Sequence, residues 1–307
     1  MEDVNITTGA KLAAVASPLV SINIPTLNSS VTLKYCLEAI KNQTYKNVEV
    51  IVIDSFSSDD TVKIASEYGA KIYFAKGLFN QRLVGIHKSR GKYILLLDSD
   101  QVLEKTAVEE CVKMEESLRK PKAIILNEIS IPLVNGSIAK AQAEYVKAIQ
   151  HGGWDPLLGT ALPRFFPAKV LKEIPPTARE VGYFDHAFIY KRVVKRGVNV
   201  EFASKATIYH YEINTPIRML KKFYKYYGFY VIPALVEDWR LVFCRLLPRM
   251  TITRDISSNI SMVSQFFLYG AKALATLAGT LSYIFYEGYK IARVYWKLIL
   301  STLLKRL

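Results

Sequence analysis

Residues 93–100, Tyr93-Ile94-Leu95-Leu96-Leu97-Asp98-Ser99-Asp100, run five apolar side chains straight into two carboxylates. A run without polar alternation predicts a strand covered on both faces, the pattern of a parallel sheet between helical layers. Its carboxyl end delivers Asp98 and Asp100 to the sheet edge where open α/β folds take ligands. Two carboxylates this close repel one another unless a positive charge lies beside them. A turn or capping pair ahead of the helix expected near Glu104 is the plain structural alternative.

The chain upstream repeats the same grammar. Leu19–Ile24 reads as a first strand, broken at Pro25, and a helix capped by Ser29 or Ser30 runs to about Asn42. Val48–Ile53 is a second strand that also ends in a carboxylate, Asp54. Ser57-Ser58-Asp59-Asp60-Thr61 supplies capping chemistry for a helix to about Tyr68, closed by Gly69. Lys71–Ala75 is a short third strand, and a helix from about Asn80 to Ser89 leads into the opening stretch. Strand-helix repetition with short loops predicts a mostly parallel, doubly wound sheet, with Asp54, Asp98 and Asp100 at one crevice.

Composition narrows the partners. The 307 residues are half hydrophobic and suit one large domain or two, at about 100–200 residues each. Cys36, Cys111 and Cys244 have no zinc spacing and form no disulfide framework, which fits a reducing compartment. The opening MEDVNITTGAKLAAVASP lacks a basic flank before an apolar core and does not read as a secretory signal. Of the net charge of +14, residues 211–307 carry a surplus of 9, from 14 Lys/Arg against 5 Asp/Glu. There the basic residues lie among long aromatic and aliphatic runs, which suits an anionic membrane surface better than nucleic acid.

Four blocks in order resemble the family-two glycosyltransferases of GT-A fold: Ile24–Asn28 (IPTLN), residues 43–61 (QTYKNVEVIVIDSFSSDDT), the helix around Arg82–Gly85, and residues 91–100 (GKYILLLDSD). The resemblance covers about residues 18–210. It implies a Rossmann-like α/β catalytic domain over residues 18–213, behind an N-terminal extension (1–17). It also implies a nucleotide-sugar donor, Mn²⁺ or Mg²⁺, and inversion at the anomeric carbon. Carried over, Pro25, Thr26 and Asn28 line the base and ribose pocket, and Asp54 accepts hydrogen bonds from base or ribose. Arg82 approaches the nucleotide, Asp98 faces the ribose or the metal's water shell, and Asp100 binds the metal. Such a cation takes hard oxygen ligands and neutralises the departing diphosphate, which answers the repulsion of the two aspartates. Ser55-Phe56 stands where the family has an acid and Gly, and Gln81 where a small residue is common; both leave the nucleobase open.

In the acceptor half, Lys122–Leu126 is a further strand and Ser137–Gln150 has helical spacing. Arg164, in GTALPRFF (159–166), is either a phosphate or acceptor contact or an ordinary surface arginine. Asp185, in GYFDHA (182–187), matches the family's catalytic base; a helix N-cap is its alternative. His210 follows Ala206–Tyr209 and is assigned to the metal or diphosphate, whereas His87 and His151 are taken as structural.

Residues 214–307 are expected to be all-α and membrane-associated. Ile217–Tyr227 and Trp239–Met250 read as interfacial helices, Met262–Tyr286 as a candidate span weakened by Lys272, and Ile291–Leu304 as a last apolar segment. A soluble helical subdomain is the alternative. The expected function is metal-dependent transfer of a hexose to a polyprenyl- or dolichyl-phosphate-linked acceptor at the cytoplasmic face of the cell membrane. Two further functions stay open: a synthase using the lipid phosphate as nucleophile, and a non-catalytic, membrane-bound nucleotide-sugar scaffold. No nucleic-acid partner is expected.

Overall fold

The computed structural model describes residues 17–136, 139–141, 143, 162–175, 180–212, 215–246, 270 and 272–304. Strands β1 (Val20–Thr26), β2 (Val48–Asp54), β3 (Lys71–Phe74) and β4 (Tyr93–Leu96) lie in the order β3-β2-β1-β4, all parallel. The remainder is mixed: β5 (Gln101–Leu103), β6 (Lys122–Pro132), β7 (Phe165–Pro167) and β8 (Asn199–Glu212) extend the sheet as β4-β7-β6-β8-β5. β7 is antiparallel to both neighbours, β6 and β8 are parallel, and β5 returns antiparallel on β8. The carboxyl ends of β1, β2, β4, β6 and β8 therefore share one edge.

The five-residue apolar run is explained by two cores. Tyr93, Leu95 and Leu97 pack with Leu33, Cys36, Leu37 and Ile40 of α1 (Ser30–Lys41) and with Val108 and Cys111 of α4 (Ala107–Ser117). Ile94 and Leu96 face the other way, onto Phe79, Leu83 and Ile86 of α3 (Leu78–Lys88). That second layer also holds α5 (Ala168–Lys172), α6 (Asp185–Val194) and part of α8 (Val231–Leu246); the short α2 (Thr61–Glu67) packs beside α1. Side chains of a strand alternate between faces, so burial on both sides requires an unbroken apolar sequence. Gly91 lets the chain enter β4: a Cβ there would sit 2.6 Å from the Leu19 carbonyl oxygen.

Glu115 on α4 is 7 % exposed, and its carboxylate receives the Lys122 backbone N–H at 3.3 Å. Burial raises its pKa to about 7, partly opposed by that N–H. An acid whose folded pKa is raised costs stability as pH climbs from its unfolded value, near 4.5, through 7. Glu115→Gln is therefore expected to melt a few °C above wild type at pH 8, worth about 2 kcal/mol, and level with it at pH 4.5. Thermal melts at the two pH values check this.

The C-terminal third departs from expectation. Ile217–Tyr227 is not one α-helix: α7 (Pro216–Lys222) widens into a π-helix over Phe223–Phe229. α8 carries a kink at Asp238 (φ −161°). The two apolar segments ending in Tyr286 and Leu304 merge into one helix, α9 (Lys272–Leu304). Gly228 of the π-helix meets Gly279 of α9 so closely that a Cβ on Gly279 would fall 2.0 Å from the Tyr224 carbonyl oxygen. The Gly228 carbonyl receives the Thr280 hydroxyl at 3.3 Å. Among the described residues no helix is long and apolar enough to cross a membrane; the first part of the candidate span lies outside them. Residues 1–16, most of Ser137–Gln150 and Met262–Tyr269 fall outside the described residues.

Candidate active site

At the shared carboxyl edge, β1 and β2 end side by side, with Thr26 in register with Asp54. Pro25 lies within β1. Asp54 is fully buried; it accepts the Thr26 hydroxyl at 2.8 Å and both the amide (2.7 Å) and hydroxyl (2.6 Å) of Ser57. Ser57 Oγ in turn accepts the Asn28 amide at 2.8 Å, and Asn28 Oδ1 accepts the Ser58 amide at 2.9 Å. The carboxylate thus pins together the loops after β1 and β2, and Thr26 and Asn28 reach the edge through it. Gln81, unexplained in the sequence, caps the same edge: its Nε2 donates to the carbonyls of Thr26 (2.8 Å) and Ile53 (2.5 Å).

Beyond β4 a chain of alternating charges crosses the edge. Asp185, in the first turn of α6, binds Arg82 Nε of α3, and Arg82 Nη2 binds Asp98 at 2.6 Å. Asp98 receives Arg164 Nη1 on its other oxygen at 3.1 Å, and Arg164 Nη2 reaches Glu128 of β6 at 3.0 Å. Glu128 accepts His210 Nδ1 at 2.7 Å, and His210 Nε2 faces Asp100 Oδ2 at 3.3 Å. His186 Nε2 lies 3.5 Å from Arg164 Nη1. Arg82 is 2 % exposed, and its Nη1 has no hydrogen-bond partner among the described residues.

The electrostatics follow from burial among opposite charges. Burial opposes ionisation of Asp98, yet Arg82, then Arg164 and His186, hold its carboxyl well below the usual range. Glu128 is likewise penalised by burial, but Arg164 and His210 draw it down to about 2. Burial works against the His210 cation, yet Asp100 and then Glu128 raise its pKa well above the ordinary value.

Of the acids singled out from the sequence, Asp98, Asp100 and Asp185 belong to this charged chain, whereas Asp54 is held apart from it by Thr26 and Ser57. Asp98 spends both oxygens on arginines, whereas Asp100 is the more open carboxylate, with its side chain 41 % exposed. Arg164 is not a surface arginine but is buried in ion pairs. Asp185 is 1 % exposed and occupied by Arg82. Glu128 was missed; its sequence signal is an acid in the otherwise apolar strand KAIILNEISIP, placed as Asp54 and Asp98 are. Among the described residues no cluster of three or more His, Cys, Asp or Glu is arranged to hold a metal. Asp100 and His210 nonetheless fit one as a pair. The Glu128 carboxylate fixes the imidazole as metal-binding histidines are fixed, and leaves His210 Nε2 facing Asp100 Oδ2 at 3.3 Å.

The parallel β3-β2-β1-β4 sheet, with the loops after β1 and β2 pinned together at its carboxyl edge, is a GT-A-like α/β fold. Residues 21–126 match the model of the family described as Glycosyl transferase family 2. Chondroitin synthase of Escherichia coli is 40 % identical over 102 residues, covering 31 % of this chain and 15 % of that protein. An uncharacterized glycosyltransferase of Rickettsia prowazekii is 35 % identical over 113 residues, 36 % of either chain. The chain thus spans well under half the length of these relatives. The structure of S. aureus TarS 1-349 in complex with UDP-GlcNAc superposes with a TM-score of 0.50 at 14 % identity, covering 82 % of this chain and 79 % of that one; the likeness is one of fold.

Proposed function

We propose that the chain transfers a hexose from a UDP- or GDP-linked sugar to a lipid-linked acceptor at a membrane, with inversion. The observation that carries this is the convergence of Asp100 and His210 beside the Asp54 loop pocket, on one sheet edge. Thr26 and Asn28, held by Asp54 and Ser57, receive base and ribose. Asp100 and His210 would hold Mn²⁺ or Mg²⁺. Bound there, the cation would offset charge on the departing nucleoside diphosphate. Arg82 Nη1, buried and uncommitted among the described residues, offers a donor to a donor-sugar or phosphate oxygen. Glu128 fixes the His210 ring, and Arg164 balances Glu128 and Asp98.

Transfer to a hydroxyl requires a base, the role we assign to Asp185. Its engagement by Arg82 favours a second reading, in which a lipid phosphate is the nucleophile and needs no base. The lipid itself is supported by the helical region. Leu274, Leu277, Leu281, Ile284, Phe285 and Tyr289 of α9 lie on its exposed side, and Trp239 on α8 is 57 % exposed beside Arg240. Such surfaces bind the headgroup boundary, and the surplus of basic residues favours the anionic cytoplasmic leaflet of the cell membrane.

Donor turnover by purified full chain with Mn²⁺ tests both readings, across UDP- and GDP-sugars, with and without polyprenyl phosphate in detergent. Release of one nucleoside diphosphate only when lipid is added establishes phosphate as acceptor. Slow hydrolysis indifferent to the lipid points to a glycan hydroxyl, with Asp185 as base. No turnover under any condition returns the chain to a binding scaffold.

A further inference from the structure

We propose that Phe56 and Phe74 form a stacking platform for the donor's nucleobase, an assignment that rests on the nucleotide-sugar reading above. Phe56 has φ 59°, a left-handed conformation that bulky residues avoid and glycine adopts freely. Core burial does not explain it, because the side chain is 58 % exposed. Its ring stacks instead on Phe74, itself 52 % exposed, with centroids 5.5 Å apart and planes 28° from parallel.

The turn around it is pinned on both sides. Ser55 N–H donates to the Thr26 carbonyl at 2.9 Å, Ser57 binds Asp54, and Ser58 N–H donates to Asn28. Phe74 is the register partner of Asp54 across β2 and β3. Both rings therefore stand at the same edge as the Thr26–Asn28 loop. Lys76 Nζ lies 5.7 Å from the Phe56 centroid, adding a cation at the platform. A preformed pair of open rings, a nearby cation and a loop of amides and hydroxyls match a flat heteroaromatic ring carrying carbonyl groups. Any nucleobase offers a π-face, so the platform supplies affinity while the loop polar groups select the base.

Phe56→Gly separates ligand binding from structure, because glycine suits the backbone and every pinning bond comes from other residues. The experiment measures melting temperature and calorimetric Kd for UDP, GDP and CDP, with Mn²⁺ present, on full-length wild type, Phe56→Gly, Phe56→Tyr and Phe74→Ala. Phe56→Gly is expected to melt no lower than wild type while losing about tenfold or more in Kd for the preferred nucleotide. Phe74→Ala should weaken binding in the same direction, and Phe56→Tyr should retain it. An unchanged Kd in Phe56→Gly overturns the platform alone. Wild type that binds none of the three nucleotides overturns the nucleotide-sugar reading, and the platform with it.

Discussion

Asp100→Asn is expected to lower kcat/KM for sugar transfer by about 100-fold or more, since a metal's hold on a leaving group is worth several kcal/mol. Asparagine keeps the shape and one oxygen but removes the charge on the open carboxylate of the edge. His210→Ala should fall comparably. The informative companion is Glu128→Gln, which contacts neither donor nor cation in the proposed site. Its carboxylate sets the His210 ring through Nδ1, so the expected loss is about 10–100-fold in Mn²⁺ affinity. Titration of Mn²⁺ by electron paramagnetic resonance, with nucleoside diphosphate present, reads this separately from turnover. Full turnover by Asp100→Asn would mean a mechanism that needs no cation at this position.

Arg82→Leu is expected to destabilise the fold by about 3–5 kcal/mol, because breaking a buried pair from one side leaves uncompensated charge. Among the described residues Arg82 is the ion-pair partner of Asp185, whereas Asp98 also pairs with Arg164, so Asp185 is the carboxylate stranded by its removal. A lysine cannot bridge two carboxylates with a planar fork, so Arg82→Lys should recover only part of the loss. The double variant Arg82→Leu/Asp185→Leu should be more stable than Arg82→Leu alone. Urea denaturation of wild type, Arg82→Leu, Asp185→Leu and the double variant gives the coupling, and a purely additive outcome would contradict the pair as drawn.

How much of this was legible in the sequence depends on the range of the interaction. Strands β1 to β4 and their helices are local patterns, and the carboxylates at their ends could be placed from spacing alone. Arg82 and Asp98, 16 residues apart, were both singled out, but not that they bind one another; Asp98 was given to ribose or metal, whereas its oxygens go to arginines. Glu128 and His210 are 82 residues apart and meet only because β6 and β8 pair, so no spacing announces them. Phe56 and Gln81 stood out as departures from a family pattern, yet their conformation and capping role are properties of the folded edge. The helical region was the least legible. Aromatic and aliphatic runs look alike whether they face lipid or, like Gly228 on Gly279, another helix.

The pairing of β6 with β8 is not continuous. Leu126 is matched with Ala203, but Asn127 with Thr207, so three residues of β8 are left without partners. Three is an odd number, and a strand alternates its faces with every residue. In the register before the interruption, Glu128 would share a side with residue 205, and His210 would point through to the opposite face. The interruption reverses that parity and turns the imidazole to the side of the carboxylate that holds it. Residues 204–206 touch none of the charged chain, yet their number decides whether it closes. A change of length there by two preserves the parity; a change by one undoes it.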